Sequence, residues 1–190
     1  MRDADMAGAV VAAERRVLGV LRGCGARASV AGAARALSFG GEHGALWLAA
    51  GLTCAAVDPE RRAAWLRGTA LTAGAQLASM GVKRVVRRPR PGAAEYAPLV
   101  RTAGRHSFPS SHATSAVAAA VAFGALHPTA RRLAAPVAAA MCLSRLVVGV
   151  HYPSDVAAGA LLGAVTATLG RAWLRAPGPT CPAPPGGGRG

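Results

Sequence analysis

Four groups of residues in this chain have the types and the spacing to do chemistry. The first is Arg145, which stands in the otherwise apolar run AAAMCLSRLVVGV. An arginine facing lipid from such a run costs at least about 2.5 kcal/mol, so it either faces a polar interior or snorkels from near a helix end. The second is Lys83, the single lysine among 22 basic residues. A chain so biased towards arginine keeps a lysine by chance or because position 83 needs an ammonium. Lys83, Arg87 and Arg90 recur at i, i+4 and i+7, which is one helical face if the helix persists. Pro89 and Pro91 predict that it ends before then and leaves Arg90 in a loop. Convergent cations of this kind suit a phosphate or an anionic lipid head group.

The third group is RHSFPSSHATS, where Pro109, Ser110, Ser111 and His112 open an apolar helix. Ser110 or Ser111 can cap that helix, whose free backbone N–H groups form an anion site. His112 is more than a cap requires. The fourth is HYPSD, with His151 and Asp155 four residues apart. With Pro153 early in a helix, Asp155 falls in the first turn, within reach of the imidazole. A carboxylate on one ring nitrogen fixes the tautomer and leaves the other as nucleophile or base. Taken singly, each group also has a plain structural explanation: a snorkelling arginine, a serine cap, a first-turn carboxylate answering the helix dipole.

The elements that must position these residues follow from composition and pattern. The chain has 190 residues, 52% apolar, 16% charged and only 4% aromatic, with net charge +14 and mean hydropathy +0.31. That is too apolar for a disordered polybasic chain and too poor in charge for an ordinary soluble domain, where about 25% is usual. An all-α, polytopic membrane bundle is the expected fold class. Residues 1–37 read as an amphipathic surface segment broken at Gly23 and Gly25. Apolar stretches follow at 44–57, 63–82, 113–127, 133–150 and 156–170, giving about five spans. Only 63–82 and 133–150 reach the length of roughly 17–20 residues that a span needs. The connection from Lys83 to His112 is long enough to be functional. Residues 38–175 form the expected membrane domain, and 176–190, Pro/Gly-rich, a disordered tail. Cys24, Cys54, Cys142 and Cys181 lack metal-ligand spacing, Cys54 and Cys142 reading as buried small hydrophobes. No cleaved signal peptide is expected. The basic residues flank apolar runs and no nucleic-acid motif accompanies them, so a nucleic-acid partner is not expected.

In order along the chain, the four groups read K-x6-RP (Lys83 to Arg90-Pro91), PSxH (Pro109 to His112) and SR-x5-H-x3-D (Ser144-Arg145 through His151 to Asp155). This resembles the type 2 phosphatidic acid phosphatase family, which shares its core with vanadium haloperoxidases. The motifs cover residues 83–155, and the helical pattern extends the likeness from about 40 to 172. Ser111 departs from the family's usual glycine, and serine can serve there if its φ is negative and only its N–H is used. The resemblance implies a two-step phosphoryl transfer without metal or other cofactor. His151 would be the nucleophile, Asp155 its orienting partner and His112 the proton donor. Lys83, Arg90, Ser110, Ser111 and Arg145 would bind the phosphoryl oxygens.

With five spans, the N-terminus, the 83–112 connection and the 151–154 turn share one membrane face, and charge bias puts that face in the cytoplasm of a plasma-membrane protein. Glu42 and His43, in SFGGEHGALW, fall at that face and are expected at the opening through which substrate arrives. The strings FGGEHGALW, VKRVVRRPRP, SFPSSHATS and SRLVVGVHYPSDVA are similar to an actinobacterial branch of the family acting on a polyprenyl-phosphoryl pentose phosphate of the decaprenylphosphoryl-5-phosphoribose type. Undecaprenyl diphosphate, phosphatidic acid and phosphatidylglycerophosphate phosphatases share the same motifs. A haloperoxidase and a non-catalytic binder of anionic membrane lipids are the other classes open.

Overall fold

The computed structural model describes residues 2–92, 97–102 and 104–176, and the Pro/Gly-rich tail expected at 176–190 lies outside them from 177 onward. The described residues form helices and no strand. They run α1 (Arg2–Cys24), α2 (Ala28–Gly40), α3 (Ala45–Val57), α4 (Arg62–Val86), α5 (Ser111–Gly124), α6 (Pro128–Val147), α7 (Pro153–Leu169) and α8 (Arg171–Leu174).

Alanines make up much of the middle of the bundle. In α5, Ala113, Ala116, Ala118, Ala119 and Ala122 are fully buried, and this helix packs against α4, α6 and α7. The α5–α7 contact is closest at two glycines. A Cβ on Gly159 would lie 2.4 Å from the Ser110 carbonyl oxygen, and one on Gly163 would lie 2.2 Å from that of Thr114. Only a residue without a side chain lets the two backbones meet there. Trp47, Trp65, Phe123 and Met141 are buried with the alanines, whereas Leu52, Leu66, Leu77, Leu133, Leu143, Leu161, Val165 and Leu169 are exposed.

The five apolar stretches all become helices, α3 to α7, but their lengths differ from expectation. Among the described residues no helix is long and apolar enough to cross a membrane. Helices α3, α5 and α7 have 13, 14 and 17 residues. The two expected full spans fail for a different reason. Helix α4 starts at Arg62 and carries Arg67, Gln76 and Lys83, while α6 starts at Pro128, takes in Arg131 and Arg132, and stops at Val147 before the apolar run ends. Gly149, at φ +75°, turns the chain there.

The N-terminal segment breaks as a helix pair, at 25–27, and α2 runs on through position 37 to Gly40. It does not merely lie on a surface, for α1 packs against α6 and α7, and α2 against α6. Leu18 and Glu14 of α1 are buried. Of the cysteines, Cys54 and Cys142 are half-buried rather than fully enclosed, and Cys24 is exposed.

Candidate active site

One end of the bundle gathers the last turn of α4, the loop after it, the first turns of α5 and α7, and the last turn of α6. Helix α4 ends where Arg87 turns to φ +51° as its C-cap, which points Arg87 away, exposed and bonded to the Arg84 carbonyl. Lys83, Arg87 and Arg90 therefore do not share a face. Lys83 Nζ instead donates to the Pro109 carbonyl at 2.7 Å, with the Ser107 and His106 carbonyls at 3.3 and 3.4 Å. The ammonium thus folds the loop back over the start of α5. Arg90, in the loop as expected, donates from Nε to the Gly104 carbonyl and from Nη1 to the Val150 carbonyl, both at 2.8 Å.

Arg90 Nη1 also approaches His151 Nε2 at 3.4 Å. A guanidinium only donates, so this contact requires a lone pair on Nε2 and puts the imidazole proton on Nδ1. His151 is almost fully buried. Burial holds its pKa down to about 4, against the opposing effect of Asp155 and with further help from Arg145, Arg90 and Lys83. At neutral pH the ring is therefore uncharged, with its lone pair on Nε2 facing Arg90. Its Nδ1 lies 3.6 Å from Asp155 Oδ2, near but beyond hydrogen-bond length. The Asp155 carboxylate is already held on both oxygens, by the Tyr152 N–H at 2.8 Å and Arg88 Nη1 at 3.0 Å.

Ser110 is the N-cap of α5, its Oγ accepting from the Ala113 N–H at 3.4 Å, while its own N–H donates to the Asp155 carbonyl at 2.9 Å. The start of α5 is thereby tied to the first turn of α7. Ser111 opens the helix with a negative φ, the non-glycine residues at positive φ among the described residues being His43 and Arg87. Its Oγ accepts from Ser79 at 2.7 Å. His112 Nε2 lies 3.0 Å from the Ser38 carbonyl, which can only accept, so Nε2 carries the proton. Arg145, 2% exposed, donates from Nη1 to the Ser38 hydroxyl, and its Nε has no protein partner.

Of the expected site residues, Lys83, Arg90, Ser111, His112, Arg145 and His151 line a cavity of about 320 Å³, whereas Ser110 and Asp155 are fully buried off its wall. Lys83, Arg90, Arg101 and Arg145 supply positive charge, Ser111, His112 and His151 complete the inner wall, and Glu42 and His43 stand on it from the turn before α3. His43 sits at φ +53° beside Gly44 at φ +75°. A pocket with four cations, an uncharged nucleophilic nitrogen and a second histidine can bind a phosphoryl group and accept it on nitrogen. Sequence reasoning missed Glu14, Ser38, Arg88 and Arg101. Nothing in their local spacing separates them from ordinary surface or cap residues.

The pattern of the PAP2 superfamily matches residues 63–178. This chain belongs to the PAP2 superfamily. It is 46% identical over 135 residues to a decaprenylphosphoryl-5-phosphoribose phosphatase of Mycolicibacterium smegmatis, covering 70% of this chain and 73% of that one. A protein of the same name from Mycobacterium tuberculosis is 43% identical over 136 residues, 72% of this chain and 76% of that one. Among solved structures, a PAP2 type phosphatidylglycerolphosphate phosphatase from Bacillus subtilis superposes with a TM-score of 0.70 at 22% identity, over 87% of this chain and 86% of that one, which shows the shared fold. The PAP2 match contains Lys83, Arg90, Ser110, Ser111, His112, Arg145, His151 and Asp155. It begins after Glu14, Ser38, Glu42 and His43.

Proposed function

We propose that this protein is a membrane-embedded lipid phosphatase that works through a phosphohistidine and needs no metal. The observation that carries this reading is the uncharged His151 Nε2 on the wall of a cavity lined by Lys83, Arg90 and Arg145. His151 Nε2 attacks phosphorus, a P–N bond forms, and the P–O bond to the lipid side breaks. The three cations and the Ser111 N–H hold the phosphoryl oxygens as charge builds on them, while Ser110, fully buried off the cavity wall, caps α5. His112, whose Nε2–H stays on the Ser38 carbonyl, takes up a proton at Nδ1 from the arriving phosphate monoanion. It protonates the leaving oxygen, then takes a proton from the water that cleaves the P–N bond and frees phosphate.

The preferred substrate is a polyprenyl-phosphoryl pentose phosphate, supported by the two mycobacterial relatives. Glu42 and His43 form the opening through which it arrives. The outward leucines and valines of α3 to α7 suit a lipid surround, short helices being matched by local thinning and by arginines reaching the head groups. The excess of arginines at the catalytic end favours a cytoplasmic site.

Phosphate release by detergent-purified protein in EDTA, from a panel of this substrate, undecaprenyl diphosphate, phosphatidic acid and phosphatidylglycerophosphate, tests the reading. His151→Ala is expected to lower release by about 10⁴-fold or more, as loss of a nucleophile does. Release that persists in that variant removes the phosphohistidine. Release that EDTA abolishes removes metal independence. A KM unchanged by Glu42→Gln and His43→Ala removes them from the substrate's path.

A further inference from the structure

Helix α1 sends one acidic side chain into the bundle. Glu14 is 9% exposed although it sits among the arginines of an amphipathic helix. Its Oε1 accepts from the Ser154 N–H at 2.9 Å and its Oε2 from Arg88 Nη2 at 2.7 Å. Arg88 in turn donates from Nη1 to Asp155 Oδ1 at 3.0 Å and to Ser154 Oγ at 2.6 Å, with its guanidinium 4.2 Å from the centre of the Tyr152 ring. The result is an unbroken chain of alternating charge, Glu14–Arg88–Asp155, ending beside His151.

We propose that Glu14 is a positioning residue for the reaction, fixing the Asp155 carboxylate through Arg88 so that an element outside the family-defining region completes the site. Two physical effects require it. Arg88 alone would leave Asp155 half of a neutral pair, weakening the negative field on the imidazole; with Glu14 added, the three groups carry one net negative charge. That charge stabilises the cationic ring that forms when His151 Nε2 is bonded to phosphorus. Glu14 also anchors the first turn of α7 at the Ser154 N–H, the residue next to Asp155. The cations that hold phosphate are not in this chain, so its loss should weaken the chemical step and spare binding.

The inference rests on the phosphatase reading, and its test separates the two. In full-length protein in detergent, Glu14→Ala is expected to lower kcat by about 10- to 100-fold, the scale of a catalytic group misplaced by around an ångström, with KM within about twofold. Glu14→Gln, nearly the same shape and still able to accept from the Ser154 N–H, recovers part of the loss. In an Arg88→Ala background, Glu14→Ala costs less than it does alone, because only the Ser154 anchor is then left to lose. Losses that multiply, or that fall on KM, overturn the proposal. Hydrogen exchange provides an arm independent of activity. Glu14→Ala should speed exchange at the Tyr152 N–H, which Asp155 holds, and leave α5 unchanged. Unchanged exchange at Tyr152 overturns the positioning role. If the wild type releases no phosphate, the phosphatase reading fails by itself, and the exchange result still decides whether Glu14 fixes Asp155.

Discussion

The two ends of the bundle are built from the same residue types, yet one has a site and the other has a turn. At the far end, α6 opens with His127 and Pro128, and Arg131 and Arg132 follow, around a cavity of about 290 Å³. At the catalytic end, α5 opens with Ser110, Ser111 and His112, with Arg90 and Arg145 near. The difference lies in what each group is free to do. His127 is itself the cap, its Nδ1 accepting from the Thr129 N–H at 3.2 Å, and the two arginines beside it are exposed. At the other end a serine takes the cap, which leaves His112 its chemistry. Arg145 comes from a different helix and is buried, where its charge is weakly screened. A histidine and arginines near a helix start do not make an anion site; burial and convergence from separate elements do.

The largest effect that sharpens this contrast is at Arg145. Arg145→Ala should reduce phosphate release by about 10²- to 10³-fold, as removal of a transition-state donor does. Arg145→Lys should recover little, since a point charge cannot reproduce the guanidinium fork. A loss below tenfold would break the claim that buried convergence matters. The next effect is on stability. Gly163→Ala places a methyl against the Thr114 carbonyl and should cost about 1–3 kcal/mol, read as a lower Tm, because backbone cannot move aside as a side chain can. An unchanged Tm would mean that α5 and α7 are not locked.

A smaller, pH-dependent effect belongs to Glu14. Burial raises its pKa, but the bonds from Ser154 and Arg88 outweigh this and hold it below its ordinary 4.5. Its contribution is present in full above that value and fades as pH falls through the lowered pKa. The stability difference between wild type and Glu14→Gln should therefore be constant near neutrality and shrink below about pH 4.5. A difference that grows in acid would reverse the sign of the argument. The smallest effect is at the far end: His127→Ala with Arg131→Ala should leave phosphate release within about twofold and cost about 1 kcal/mol for the lost cap. A large loss of activity there would erase the distinction between the ends.

Much of the catalytic end was legible because its residues lie in short strings whose spacing is kept by local structure. Ser110 and His112 share one helix start, and His151 and Asp155 share one helix entrance. Arg90 could be placed in a loop because Pro89 and Pro91 forbid the helix. Arg88 could not be told from Arg87, since their roles depend on which one takes the left-handed turn. Glu14 and Ser38 were illegible for a stronger reason. Their partners are more than 70 positions away along the chain, and a lone glutamate on an amphipathic helix has the local pattern of a solvated one. The span lengths misled because hydropathy counts apolar residues, whereas helix ends are set by caps and turns such as His127, Asp58 and Gly149.

The glycine contacts between α5 and α7 also have a mechanical side. They lie at the catalytic end of α5, where Ser110 and Thr114 meet Gly159 and Gly163 in the middle of α7, and make a pivot there. A tilt of α5 about this pivot moves its far tip a long way and its near tip very little. Fluctuations in the thickness of the surrounding lipid would then be taken up at the α5–α6 turn, and the distance from Ser110 to Asp155 would hold steady. The short lever arm makes the phosphate cradle insensitive to the movement of the medium it sits in.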